Sequence, residues 1–201
     1  MRSSARLLPD ELSLFHAVRN DLYQASFELL RAPPRKASLG AARKALSADL
    51  PHLRDNELIR LVVKVLSTAS VEEAATEYAW LVNSESAVPM RCANPGCRHR
   101  AEAYAAVSVL ASEERVSELR VLSLLADRTL EALSSGSLPE ASILTDVQGR
   151  FLANHAGVCL GQLVLGLRKG GAPLYSRVGA ALGWLIEEDL RLLGLPPGRA
   201  P

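Results

Sequence analysis

Aromatic side chains are scarce in this 201-residue chain, at 4% of all residues, and its 48% hydrophobic share rests on Leu, Ala and Val. Leu and Ala lose little rotamer freedom in a helix, so the composition leans all-helical. A charge excess of either sign is also missing. Lys+Arg (23) nearly balances Asp+Glu (22), and a formal charge of +1 lacks the cationic surplus that sequence-independent phosphate binding requires. No nucleic-acid partner is expected. Three cysteines are few and odd in number, and a chain of this size buries a core without staples, so a disulfide framework is not indicated and a reducing cytoplasm fits best.

Long apolar runs are absent as well. Met1 to Asp10 meets charge and proline before an apolar stretch of signal-peptide length develops, so export is not expected. The longest uncharged run, Phe151 to Leu167, contains Asn154, His155, Gln162 and three glycines, and it falls short of the roughly 20 apolar residues of a spanning helix. We read it as a buried helix, with no integral membrane segment. No H-E-x-x-H, G-x-S-x-G or phosphate-cradling glycine loop occurs, so neither an enzyme nor a cofactor is expected.

Helical periodicity fills most of the chain. A first helix runs from about Asp10 to Arg31 on Leu14, Val18, Leu22, Ala25 and Leu29, and Ala32-Pro33-Pro34 ends it. A second spans about Ser38 to Asp49, and Asp55 caps a third with Leu58, Leu61, Val62, Val65 and Leu66 inward. Ser70 and Glu73 have capping-box spacing ahead of the stripe Ala74, Tyr78, Leu81 and Val82. From about 84 to 98 the period stops in an irregular loop holding Pro89, Asn94, Pro95 and Gly96.

A fifth helix covers about His99 to Leu110, and Ser112 with Glu113 and Glu114 opens a sixth, with Val116, Leu119, Leu122, Ala126, Leu130 and Leu133 inward. A linker at about 134–139 leads into a long helix. Its single face would hold Leu144, Val147, Phe151, His155, Val158, Gln162 and Leu165, with Gly157 and Gly161 admitting a close neighbour. Pro173 starts a last helix as an N1 proline, with Val178, Ala181, Leu185 and Leu192 inward. The expectation is an all-α, single multi-helix bundle of about eight helices over residues 1–201.

Chemistry-bearing residues are few. Cys92, Cys97 and His99 fall close together, and thiolate plus imidazole can hold zinc. The thiols are four residues apart with no second pair, so a loop of free or redox-sensitive thiols is the preferred reading. Cys159, between Val158 and Leu160, reads as a small buried hydrophobe rather than a nucleophile with His155. Charge is unevenly spread: Ser70 to Gln148 carries 12 acidic and 6 basic residues, enough to steer a cationic partner.

Three stretches together resemble the TorD/DmsD/NarJ family of chaperones that mature molybdenum-containing redox enzymes. Glu77-Tyr78-Ala79-Trp80-Leu81-Val82 is similar to the family's Glu-Tyr-x-x-Leu-Phe element, and the run from Glu118-Leu119 resembles its Glu-Leu helix. Arg150-Phe151-Leu152-Ala153-Asn154-His155 resembles Arg-Phe-Leu-x-x-His, followed by Pro173-Leu174-Tyr175 and the terminal helix through Glu187-Glu188-Asp189-Leu190. Two places depart from the pattern. Glu113 and Glu114 stand where the family commonly has Asp-His, and Val88 to Cys97 replaces the family's Pro-Tyr loop.

The resemblance implies a TorD-like fold and a cytoplasmic assembly chaperone without enzymatic activity. Its partner would be the precursor of a molybdenum-containing oxidoreductase catalytic subunit, bound by the twin-arginine signal peptide or N-terminal tail until cofactor insertion. The implied peptide-binding residues are Glu77, Tyr78, Trp80, Leu81, Glu113, Glu114, Glu118, His155 and Tyr175, with His155 and Tyr175 equally suited to buried structural positions. A monomer or a homodimer is compatible with this reading. The competing expectation is a metal- or redox-responsive helical regulator built on Cys92, Cys97 and His99.

Overall fold

The computed structural model describes residues 9–46, 57–83, 96–108, 116–169 and 172–193. Among these residues there is no strand. The helices are α1 (Pro9–Leu30), α2 (Lys36–Leu46), α3 (Glu57–Thr68), α4 (Val71–Asn83), α5 (Arg98–Ala106), α6 (Ser117–Ser134), α7 (Leu138–Phe151), α8 (Gly157–Lys169) and α9 (Pro173–Leu192). A π-helical segment, Leu152–Ala156, joins α7 to α8 without a break. With that run taken as one rod, eight rods among the described residues form the all-α bundle that the periodicity predicts.

Local chemistry sets several of the boundaries. The Ser70 amide donates to Glu73 Oε2 at 2.8 Å and the Glu73 amide to Ser70 Oγ at 3.1 Å, the reciprocal bonds of a capping box at the head of α4. The amide of Ser70 is the first cause holding the Glu73 carboxyl below its ordinary value. Pro173 opens α9, where its missing N–H costs nothing. At the end of α6, Ser137 donates to Ala132 O and Gly136 to Leu133 O, with Gly136 at φ +76°. That is a Schellman stop, and the linker is shorter than the sequence suggests because α7 already begins at Leu138.

One continuous core runs between the rods. Helix α1 lies along α6 and against α2, α7 packs along α6, and α8 and α3 pack against α9. Leu22, Tyr23, Phe27 and Leu30 of α1 meet Leu119, Leu122 and Leu125 of α6, with Tyr175, Val178 and Leu182 of α9 in the same cluster. Each such side chain contributes about 1.5–3 kcal/mol through removal from water.

The long rod departs from expectation after His155. Leu144, Phe151 and His155 are buried, but Val158 is 50% and Leu165 36% exposed, and the inward residues of α8 are Leu160, Leu163, Val164 and Leu167. The cause is the π segment, where Gly157 donates to Leu152 O across five residues instead of four. One added residue turns every later side chain by about 100° around the axis. A Cβ on Gly157 would sit 2.6 Å from Leu152 O, so this turn needs glycine. The close helix approach expected at Gly161 occurs elsewhere. Gly161 faces open space, whereas Gly179 lies where a Cβ would meet Leu167 Cβ at 2.7 Å.

Candidate functional site

Five buried polar side chains converge where α5, the head of α6 and the π segment meet. Arg100 and Tyr104 come one turn apart from α5, Ser117 and Glu118 from the first turn of α6, and His155 from the π segment. Arg100 donates from Nη2 to Tyr104 Oη (3.2 Å), Tyr104 to Ser117 Oγ (2.6 Å), and Ser117 to Glu118 Oε2 (3.4 Å). Glu118 Oε1 also faces Arg100 Nε at 3.4 Å and His155 Nε2 at 3.5 Å. Phe151 stacks on the His155 ring at 5.4 Å.

Burial pushes the Glu118 carboxyl up. The His155 bond, its own amide, and the His155 and Arg100 charges outweigh that and hold it below the ordinary value. The residue just before this turn, Val116, has φ 52°, a left-handed conformation that is strained for a β-branched side chain. The sequence places a helix start at Ser112, but α6 begins at Ser117, and Ser112, Glu113 and Glu114 lie outside the described residues.

A second group ties α4 to α1 and α9. The Leu174 amide, one of the open donors at the α9 N-terminus, donates to Glu77 Oε2 at 3.0 Å. Tyr78 donates to Leu30 O (3.3 Å) and Tyr175 to Leu29 O (3.2 Å), so two phenols satisfy carbonyls at the end of α1. Their rings lie 6.1 Å apart, and burial, then Tyr78 and Glu77, raise the Tyr175 hydroxyl well above its ordinary pKa. Leu81 is fully buried. Trp80, on the opposite face of α4, is 47% exposed.

The structure therefore joins the implied site residues as two interior groups, Glu118 with His155 and Glu77 with Tyr78 and Tyr175, and leaves Trp80 on the surface. The guanidinium that Glu118 engages is the chain's own Arg100. A further network escaped the sequence reading. Asp189 accepts from Arg19 Nε and from Tyr23 Oη, each at 2.7 Å, and Arg19 Nη1 donates to Gln148 Oε1 at 2.8 Å and to His16 Nδ1 at 3.3 Å. Burial raises the Asp189 carboxyl against the pull of Arg19. Burial, then the Arg19 charge, lowers His16 to about 3, so its ring is neutral and accepts at Nδ1. The available signal was positional: Arg19 and Asp189 fall on the apolar stripes of their helices.

The cysteines correct one expectation, at Cys159. Cys97 is a free, half-buried thiol at the N-cap of α5. Cys159, expected as a free thiol packed among apolar neighbours, is disulfide-bonded. A disulfide leaves no periodic trace in a sequence, so the odd count of cysteines did not reveal it. Cys92 lies outside the described residues. His99 Nδ1 lies 3.6 Å from Glu102 Oε2, and among the described residues no cluster of three or more His, Cys, Asp or Glu side chains is placed to hold a metal ion.

A groove of about 430 Å³ opens between α1, α7 and the end of α9, with apolar Leu12, Phe15, Leu192 and Leu193 and polar Thr145, Asp146 and Arg150 along it. Among the described residues no helix is long and apolar enough to cross a membrane. No protein-family model, curated protein or solved structure matches the chain.

Proposed function

We propose that the chain is a cytoplasmic assembly chaperone of the TorD/DmsD/NarJ kind, which binds the twin-arginine signal peptide or N-terminal tail of a molybdenum-containing oxidoreductase subunit and delays export until its cofactor is inserted. One observation carries the reading. The residues that bear the sequence resemblance, far apart in the chain, fit one another in space: Glu118 with His155, Glu77 with the amide after Pro173, and Tyr78 with Tyr175. Residues that interlock in this way act as a framework of one fold, which supports giving weight to the resemblance at these positions.

The recognition chemistry has two parts. An apolar peptide segment needs a groove between helices, and arginines need carboxylates that take guanidinium in bidentate fashion. The groove between α1, α7 and α9 offers the first together with Asp146. Exposed Trp80 offers a flat face for a guanidinium. Glu113 and Glu114, in the acidic middle of the chain, add steering. The protein works by binding and release and carries out no reaction of its own.

Isothermal titration of the full chain with a synthetic peptide holding two adjacent arginines and an apolar stretch tests this. Saturable binding that weakens with salt, and weakens at least tenfold in Trp80→Ala, is the expected result. Absence of binding at low salt contradicts the reading.

A second reading, a redox-responsive helical regulator, is favoured by one observation, the disulfide at Cys159. Cytosolic disulfides in mesophiles are usually transient, catalytic or redox-sensing. The oxidation state of a purified sample separates the two readings only when combined with the peptide titration, since a chaperone can also carry a thiol switch.

A further inference from the structure

Beneath the groove between α1, α7 and α9 lies the buried network of Arg19 and Asp189, with two donors left open. Phe15, Gly149 and Leu193 line the groove, one from each side. Each is tied to the network below it. The Phe15 ring packs 5.2 Å from the His16 ring and 4.7 Å from Arg19 Cζ. Gly149 follows Gln148, which takes Arg19 Nη1, and Leu193 donates its amide to the carbonyl of Asp189, whose carboxylate takes Arg19 Nε. His16 and Arg19 are fully buried, and among the described residues His16 Nε2 and Arg19 Nη2 have no hydrogen-bond partner.

The bonds already made fix what these two nitrogens can do. A guanidinium only donates, so His16 Nδ1, which receives Arg19 Nη1 at 3.3 Å, is the acceptor of its ring and the single ring proton is on Nε2. Both open positions are therefore N–H donors, on two groups bonded to each other, and a buried donor favours an incoming oxygen. Charge decides the kind of oxygen. Asp189 already balances Arg19 at 2.7 Å, and Asp146 and Arg150 along the groove offset each other. A carboxylate or phosphate would bring an uncompensated negative charge into this interior, whereas a carbonyl oxygen brings two lone pairs and no charge.

We infer that the groove is a binding site for a small, uncharged, mostly apolar molecule whose carbonyl oxygen accepts from His16 Nε2 and Arg19 Nη2. Leu12, Leu192 and Leu193 hold its apolar body, and the groove's volume of about 430 Å³ lies within the range of small-molecule sites. Phe15 separates body from head. Its ring is half-buried, with the guanidinium over its face, and it turns aside to admit the carbonyl. The inference goes beyond the client-binding reading and holds whichever partner the chain serves.

Nuclear magnetic resonance of the full chain with isotope-labelled histidine rings tests the site. The His16 Nε2 proton, protected from exchange by burial, is identified among the four histidines by its through-space contact with the Phe15 ring. Methyl hexyl ketone, one carbonyl on an apolar chain, should bind saturably at neutral pH, move this proton downfield, and show contacts from its alkyl chain to the methyls of Leu12 and Leu193. Octanoate, an anion of the same length, should bind at least tenfold more weakly. No saturable binding of the ketone, octanoate binding as tightly as the ketone, or a His16 Nε2 proton that stays in place while the ketone binds each overturns the proposal. Donors met by buried water alone would show water contact at that proton and no response to the ketone, which overturns it equally.

Discussion

Glu118 Oε1 lies 3.5 Å from His155 Nε2 deep in the bundle, with side-chain exposures of 4% and 1%. Arg100 shares the same carboxylate, so one anion serves two groups on separate helical elements. Removing the anion leaves a buried guanidinium without its counter-charge, and breaking a buried pair in this way costs about 3–5 kcal/mol. Glu118→Ala should lower unfolding stability by that amount in urea titrations at neutral pH, and His155→Ala by less, because Arg100 and Glu118 remain paired.

The same carboxylate sets a pH dependence. Its folded-state pKa is held below the ordinary value, so its stabilising contribution is full above the ordinary glutamate range and is lost as pH falls through the depressed value. Urea midpoints measured from pH 7 down to pH 3 should fall for the natural chain. Subtracting the profile of Glu118→Gln should leave a difference that shrinks toward acid pH; a difference that is flat across the series argues against the assigned role.

Arg19 and Asp189 are a buried pair of the same kind, at 1% and 0% side-chain exposure. Asp189→Leu alone should cost about 3–5 kcal/mol, because Arg19 stays buried without its anion. Arg19→Met with Asp189→Leu should cost less than the sum of the single changes. A double-mutant cycle reads the coupling directly, and a coupling near zero contradicts the paired geometry.

The π segment makes a register claim that substitutions can check. Leu163→Ala should cost about 2–5 kcal/mol, whereas Leu165→Ser, on the outward face, should stay within about 0.5 kcal/mol. An uninterrupted α-helix from Leu144 onward predicts the reverse ranking, and the same urea titrations decide between them.

Gly161 on α8, which faces open space, and Gly179, packed against Leu167 at the α8–α9 crossing, should respond with opposite signs. Gly161→Ala meets nothing within 4 Å and should gain about 0.5–1 kcal/mol from helix propensity. Gly179→Ala forces its methyl against Leu167 and should lower the melting temperature.

Much of the fold was legible because each rod announces itself locally. Ser70 with Glu73 marks the head of α4, Pro173 marks the head of α9, and the stripe from Leu119 to Leu133 lies inward on α6 as its period requires. The π segment was not legible, since Leu144 to His155 and Leu160 to Leu167 each keep a helical period and the extra residue between them resembles ordinary drift. Buried charge was equally hidden. Arg19 and Asp189 fall on apolar stripes, but the partners of Arg19, Asp189 and Glu118 lie far away in the chain and only the fold brings them together. Of the implied site residues, Glu118 and His155 fall in one interior group and Glu77, Tyr78 and Tyr175 in another, and sequence order alone gave no sign of either grouping.

Affinity isolation of the tagged chain from its native host under anaerobic respiratory growth, with mass spectrometry of what copurifies, tests the central claim most directly. The account predicts recovery of a molybdenum-containing oxidoreductase catalytic subunit whose N-terminal segment is still attached, with loss of that subunit when a peptide copying the segment is added in excess. Copurification of no such subunit, while the chain itself is recovered folded and in quantity, contradicts it.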